Sequence, residues 1–234
     1  MDLKGKQALV TGGSSGIGKA TALKLIEAGA QVAITGRDKE KLQKIADSIG
    51  AFAIHADVSK PADVERTYEE FLKQFSNLDI LVNNAGIGGK RLKLHEIDME
   101  MMRQIYDVNV FGATMMGSKA AQLFREQNHG DIVNIASTAA LNGYEGGSIY
   151  SSSKFALRGL TLNWQKELRK HNVRVMLINP SYVATAFGEA DRQEREEEAN
   201  KLRSEEIAHS IVSALQMDRR GYIPELTVHA TNPF

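Results

Sequence analysis

The chain contains no cysteine, which excludes disulfide bonds, thiolate metal sites and cysteine nucleophiles. Its six histidines show no metal-ligand spacing, and no metal site is assigned to them. Charge of one sign is also missing: Lys and Arg number 29, Asp and Glu number 29, and the formal net charge is zero. No basic block stands out, so neither a nucleic-acid nor an anionic-membrane partner is expected. No apolar stretch reaches the ~18 residues of a membrane span, and no charged-then-apolar leader is evident, which makes a cytoplasmic location the expectation. The single tryptophan, Trp164, reads as a helix packing residue.

What is present is a 234-residue chain with 42% hydrophobic content, enough to bury the core of one α/β domain over residues 1–234. Strand-like runs near residues 7–11, 31–35, 52–55, 80–83, 131–136 and 173–178 alternate with helical stretches. That alternation predicts a doubly wound parallel sheet, a Rossmann fold, with a cleft at the carboxyl ends of its strands. Segments 119–126 and 150–168 belong to two long helices, and residues 221–234 supply a final strand and a tail. The charge-rich run 189–206 reads as a solvated helix in a segment positioned to act as a lid over about 186–206. The methionines at 99, 101, 102, 115 and 116 read as gap-fillers in a core or subunit interface.

Tyr150 and Lys154 lie four residues apart, which places both on one face of a helix. A free phenol ionises near pH ~10, and a neighbouring ammonium favours its phenolate. Ser137, at the end of an apolar run, can offer a hydroxyl to the same substrate oxygen. By itself this spacing is common on helices. A second motif, Thr11-Gly12-Gly13-Ser14-Ser15-Gly16-Ile17-Gly18, lies between a strand and the helical pattern 19–28. Glycines there permit a tight turn and close approach to a pyrophosphate, whose charge meets the helix N-terminus, with Ser14 and Ser15 as added donors.

The second strand ends in Gly36-Arg37, where an NAD-preferring site usually carries an acidic residue. Arg37 offers a planar cationic fork suited to a ribose 2′-phosphate, so NADP(H) is favoured. Asp38 either neutralises Arg37 or caps the helix 39–49.

Together the glycine turn, Asn83-Asn84-Ala85-Gly86, Asn109, Ser137 and Tyr150-x-x-x-Lys154 resemble the short-chain dehydrogenase/reductase family, in its NADP-preferring branch. The match runs from Leu3 to about Thr185. The resemblance implies that Ser137 orients a carbonyl, Tyr150 is the general acid or base, and Lys154 lowers the tyrosine pKa and binds the nicotinamide ribose. It implies that Asn109 holds a water in a proton relay. Asn84, Ala85 and Gly86 would line the adenine-ribose side, Asp57 and Val58 would contact the adenine, and Pro180, Val183 and Thr185 would pass the nicotinamide. Ser181 replaces the glycine usual after that proline. Read without the family, Asp57 equally suits the cap of a turn before Pro61. The family also implies a homotetramer or homodimer built on the two long helices.

The expected reaction is reversible hydride transfer between NADP(H) and a carbonyl or secondary alcohol. An NAD-linked alcohol dehydrogenase, an epimerase and an NADP(H)-binding sensor without turnover are the alternatives. Loops 88–98, 138–149 and 186–203 would shape the substrate pocket, and they show no diagnostic charge pair or aromatic cage. Residues 143–147 suggest only a flexible rim. A 3-oxoacyl thioester, a small hydroxy acid or amino-acid alcohol, a sugar and a xenobiotic ketone all remain open, the first by family analogy.

Overall fold

A computed structural model describes residues 2–185, 187, 198 and 200–232. Among them, strands β1 (Gln7–Val10), β2 (Gln31–Gly36), β3 (Phe52–His55), β4 (Ile80–Asn83), β5 (Gly130–Ile135), β6 (Val173–Pro180) and β7 (Glu225–Val228) form one sheet. Their order is β3-β2-β1-β4-β5-β6-β7, with every pairing parallel. The chain winds outward through β2 and β3, then crosses back to β4, so the strand order reverses between β1 and β4. A crevice opens at such a switch point.

The strands alternate faces residue by residue. Ala8, Val10, Val32, Ile34, Ile80 and Val82 point to one side, where they pack on helices α1 (Gly16–Glu27), α2 (Lys39–Ile49) and α7 (Ser204–Gln216). Leu9, Ala33 and Leu81 point to the other, against α3 (Pro61–Gln74), α5 (Ala113–Gln127) and the end of α6 (Ser148–Leu168). Both faces are therefore covered, which is why the strands read as nearly continuous apolar runs. A further helix, α4 (Met99–Tyr106), continues into α5 through a widened π-helical turn over Asp107–Gly112. Buried Gly112 lets that turn approach the loop after β3: a Cβ there would lie 2.9 Å from Val58 Cγ2 and 2.9 Å from the Val58 carbonyl oxygen.

At the amino ends of the strands, a charge cluster closes the sheet. Asp131, 1% exposed, receives both Arg174 Nε at 2.6 Å and Arg219 Nη1 at 2.9 Å. The two guanidinium groups also donate to the carbonyls of Leu215, Met217, Gly130 and Asn172. Removing one partner of such a buried pair costs about 3–5 kcal/mol, because the survivor is left uncompensated.

The strands and long helices agree with expectation to within a residue or two at the strand ends. Asp38 is the N-cap of α2, accepting from Lys41 N–H at 3.0 Å, which settles its two readings. The expected helix over 189–206 and the lid over 186–206 fall largely outside the described residues. Their described end differs from expectation: Leu202 forms a β-bridge with Val183, and helix begins only at Ser204. Among the described residues no helix is long and apolar enough to cross a membrane.

Candidate active site

The carboxyl ends of β1, β2, β4, β5 and β6 surround a cleft of about 900 Å³. Of the residues expected to be catalytic or cofactor-binding, all line it except Gly18 and Asn109, which stand directly behind the wall.

At its centre is the glycine turn. Gly12 and Gly16 have φ of +65° and +50°, left-handed values that glycine adopts freely. Gly18 is needed for space, since a Cβ there would run into the Gly12 carbonyl and the Asn84 side-chain amide. The Asn84 amide donates to the carbonyls of Thr11 at 2.9 Å and Gly12 at 3.1 Å. Asn84 thus holds the turn with its side chain, and only its remaining surface faces the cleft. Thr11, which the sequence reading passed over, completes the clamp: its hydroxyl accepts from the Asn84 and Ala85 N–H groups and donates to the Val82 carbonyl. Ser15 is the N-cap of α1 but makes no side-chain cap bond. The first-turn N–H groups of α1 are thereby left for an anion.

One end of the cleft is cationic at Arg37. Among the described residues nothing pairs with its guanidinium, while its carbonyl accepts from the His55 ring at 2.9 Å. Asp57 is engaged in the turn before Pro61, its Oδ1 accepting from both the N–H and hydroxyl of Ser59. Its capping and lining positions therefore coexist.

The other end holds the reactive groups. Ser137 caps a 3-10 turn over Thr138–Ala140, accepting from Ala139 N–H at 3.1 Å. Burial pushes the Tyr150 phenol up to about 12; a hydrogen bond with Ser137 pulls the other way, and nearby Tyr144 adds to the rise. Lys154, 4% exposed, is pushed down to about 8 by burial. Its ammonium donates to the Ile135 carbonyl at 3.0 Å and lies 5.8 Å from the Tyr150 ring centroid. An ammonium has three donors, so this group has capacity for ligand hydroxyls. Among the influences on the phenol burial is the largest, and it favours the protonated form.

Asn109 sits in the π-helical turn. Its Oδ1 accepts from Ile87 N–H at 2.8 Å, and its Nδ2 donates to the Ile87 carbonyl and the Ser153 hydroxyl. Ser153 passes the link to the Tyr150 carbonyl at 2.7 Å. Both amide protons are used, so only Oδ1 has a lone pair to spare. Gly86 separates this oxygen from the lysine: a Cβ there would be 3.3 Å from Asn109 Oδ1 and 3.6 Å from Lys154 Nζ.

Beyond Pro180, Ser181 N–H bonds the Val228 carbonyl at 2.9 Å. Among the described residues only Asn128 and Asn172 are non-glycine positions with positive φ. Serine in the place of the usual glycine therefore carries no left-handed strain. Below it, Asn179 donates to Glu225 at 2.8 Å, and Arg158 grips the same carboxylate with two bonds, holding it below the usual carboxylate range.

The rim is more organised than its glycines suggest. Arg91 lies over the Tyr144 ring, 5.5 Å from its centroid, and Lys93 pairs with Glu145 at 3.2 Å. Phe187 meets the Tyr150 ring edge-on at 5.6 Å. No sequence signal joins these residues, because they come from three separate loops.

The family described as short chain dehydrogenase matches residues 6–196. An uncharacterized oxidoreductase of Staphylococcus aureus is 33% identical over 233 residues, 97% of each chain. A 3-ketoacyl-(acyl-carrier-protein) reductase from Brucella melitensis, solved with NADH, superposes with a TM-score of 0.89 at 30% identity, covering 99% of this chain and 100% of its own. A serine dehydrogenase solved with NADP+ gives 0.88 at 29% identity, covering 95% and 94%. With the fold, the cleft and these likenesses in agreement, the chain belongs to the short-chain dehydrogenase family.

Proposed function

We propose that the protein is an NADP(H)-dependent oxidoreductase that interconverts a carbonyl and a secondary alcohol, with a 3-oxoacyl thioester among its candidate substrates. One observation carries this reading. A protonated phenol, a serine hydroxyl and an under-bonded ammonium gather at one end of a cleft whose other end has a guanidinium, unpaired among the described residues, beside a helix terminus without a side-chain cap. Relatives of this fold solved with NADP+ and with NADH support a nicotinamide dinucleotide there.

When bound, that cofactor supplies or accepts the hydride. Gly12, Ser14, Ser15, Gly16, Ile17 and the first turn of α1 cradle its pyrophosphate, with Gly18 keeping the turn tight. Arg37 meets the 2′-phosphate. Asp57 and Val58 flank the adenine; Asn84, Ala85 and Gly86 flank the ribose. Pro180, Val183 and Thr185 border the nicotinamide. In the reduction direction, Ser137 holds the substrate oxygen and Tyr150 gives it a proton, which a phenol kept neutral by burial is prepared to do. The Lys154 ammonium then stabilises the phenolate left behind. Asn109 fixes the helix that carries both groups and leaves one acceptor site for a water of the relay.

Exposed Phe111, Phe155 and Leu162 on the α5 and α6 side of the molecule fit a homo-oligomer, a tetramer or dimer. The test of the activity is steady-state oxidation of NADPH and NADH with a panel of carbonyl compounds. Tyr150→Phe is expected to lower kcat by about 10²–10⁴ while NADPH affinity, read by fluorescence titration, stays within a few-fold. Undiminished turnover in that variant removes Tyr150 from the chemistry.

A further inference from the structure

We infer that Arg91 is a specificity-determining residue that selects carbonyl substrates bearing a carboxylate, so that the enzyme acts on small oxo acids or their hydroxy-acid counterparts. The inference rests on the oxidoreductase reading above and assigns its substrate class.

Charge in the cleft points this way. Among the described lining residues there are three cations, Arg37, Arg91 and Lys154, and one carboxylate, Asp57. Arg37 and Asp57 lie at the end formed by β2 and the loop after β3, and Lys154 is anchored on Ile135. At the substrate end this leaves Arg91 as a cation without a carboxylate partner among the described residues, although Lys93 beside it is paired with Glu145.

Arg91 is also held in place. Its guanidinium lies over Tyr144, and its backbone and Cβ come so near Gly146 that a Cβ on that glycine would be 3.0 Å from Arg91 Cβ. Gly146 has φ of +74°, so the approach depends on a backbone shape that glycine provides. A guanidinium resting on an aromatic face keeps its N–H edge available for bidentate recognition of a carboxylate. Tyr144 in turn is near enough to Tyr150 to help keep its phenol protonated. Arg91, Tyr144 and Tyr150 line one cleft, so the anion site and the proton donor face the same substrate, and a short oxo acid can engage both. The phosphate of a carrier-bound thioester lies many bonds further from its carbonyl. Phe187, edge-on to Tyr150, supplies an apolar wall against the carbon skeleton between the two groups.

The test compares 3-oxobutanoate with its neutral methyl ester and with the corresponding coenzyme A thioester. Equilibrium binding is measured to protein saturated with NADP+, and turnover is measured separately with NADPH. The wild type is expected to bind the acid at least about tenfold more tightly than the ester, the scale of a charge-assisted bond pair. Arg91→Met keeps the packing stem and removes the fork. In it the acid-over-ester ratio is expected to collapse towards one, with the loss in turnover appearing in KM and little in kcat; Arg91→Lys restores part of the ratio.

Equal weakening of acid and ester in Arg91→Met marks a merely structural role and overturns the assignment, as does a wild type that binds the ester as well as the acid. A strong preference for the thioester that depends on Arg91 overturns the carboxylate in favour of a carrier phosphate. An acid preference in binding that is lost in Arg91→Met, without turnover of any compound, upholds the anion site and counts against the oxidoreductase reading alone.

Discussion

Around Gly12, Gly16 and Gly18 the wall of the cleft is main chain, held by the Asn84 amide and the Thr11 hydroxyl, and a single added carbon at Gly18 has nowhere to go. Around Arg91, Tyr144 and Phe187 the wall is side chain, contributed by three loops: Arg91 lies over Tyr144, and Phe187 meets the ring of Tyr150 on α6. Gly143 makes the contrast plain, because a Cβ there would meet nothing within 4 Å. A wall of backbone recognises what all members of a ligand class share, such as a pyrophosphate, and it tolerates no change. A wall of side chains can be rewritten one residue at a time, and substrate choice belongs there.

The largest expected change in stability tests the rigid half. Gly18→Ala forces the Gly12 carbonyl and Asn84 apart and is expected to cost about 2–3 kcal/mol by thermal or urea unfolding. NADPH affinity falls on the order of a hundredfold as the turn is displaced. Gly143→Ala, by contrast, stays within about 0.5 kcal/mol of the wild type. Similar costs at both glycines would erase the distinction between the two halves.

The next change has the opposite sign. Lys154 is buried with one protein hydrogen bond and no carboxylate partner in the described structure. Lys154→Met is expected to raise stability at pH 7 by about 1–2 kcal/mol while removing turnover. The pH dependence follows from the same burial. Between about 8, its value in the folded chain, and 10.5, its ordinary value, the unfolded chain binds the proton and the folded chain does not. Wild-type stability therefore rises with pH across that window, and the rise is absent in Lys154→Met. Tyr150 acts in reverse: its phenol stays protonated to about 12 when folded and ionises near 10 when unfolded, so its contribution is lost between those values. A flat stability profile from pH 8 to 10 in the wild type would show that the ammonium is not desolvated.

The smallest effect on stability is at Arg37, exposed and unpaired among the described residues. Arg37→Ala is expected to shift unfolding by less than about 0.5 kcal/mol, yet to weaken NADPH by roughly tenfold and NADH far less. Equal weakening of both nucleotides removes the arginine from 2′-phosphate recognition.

Much of the rigid half was legible in the sequence, because its parts are contiguous. Residues 11–18 carry strand, turn and helix in one stretch, and Tyr150 and Lys154 are neighbours through helical periodicity alone. The alternation of strand-like runs with helical stretches pointed to the parallel sheet in the same way. The side-chain half was not legible. Arg91 and Tyr144 meet across 53 positions of chain, and nothing in either loop marks the encounter. Nor does the sequence around Asn109 disclose the π-helical turn, where the helix register widens and the amide turns towards Ile87. The burial that raises the Tyr150 phenol was also out of reach, since it is a property of the assembled core.

The Asp131, Arg174 and Arg219 cluster gives the molecule a spine, like that of a bound book. It fastens β5 and β6 to the turn after α7 at the edge remote from the cleft, through a carboxylate and one guanidinium that water scarcely reaches and a second guanidinium at the surface. The open side of the book is the opposite edge, where the cleft receives a ligand.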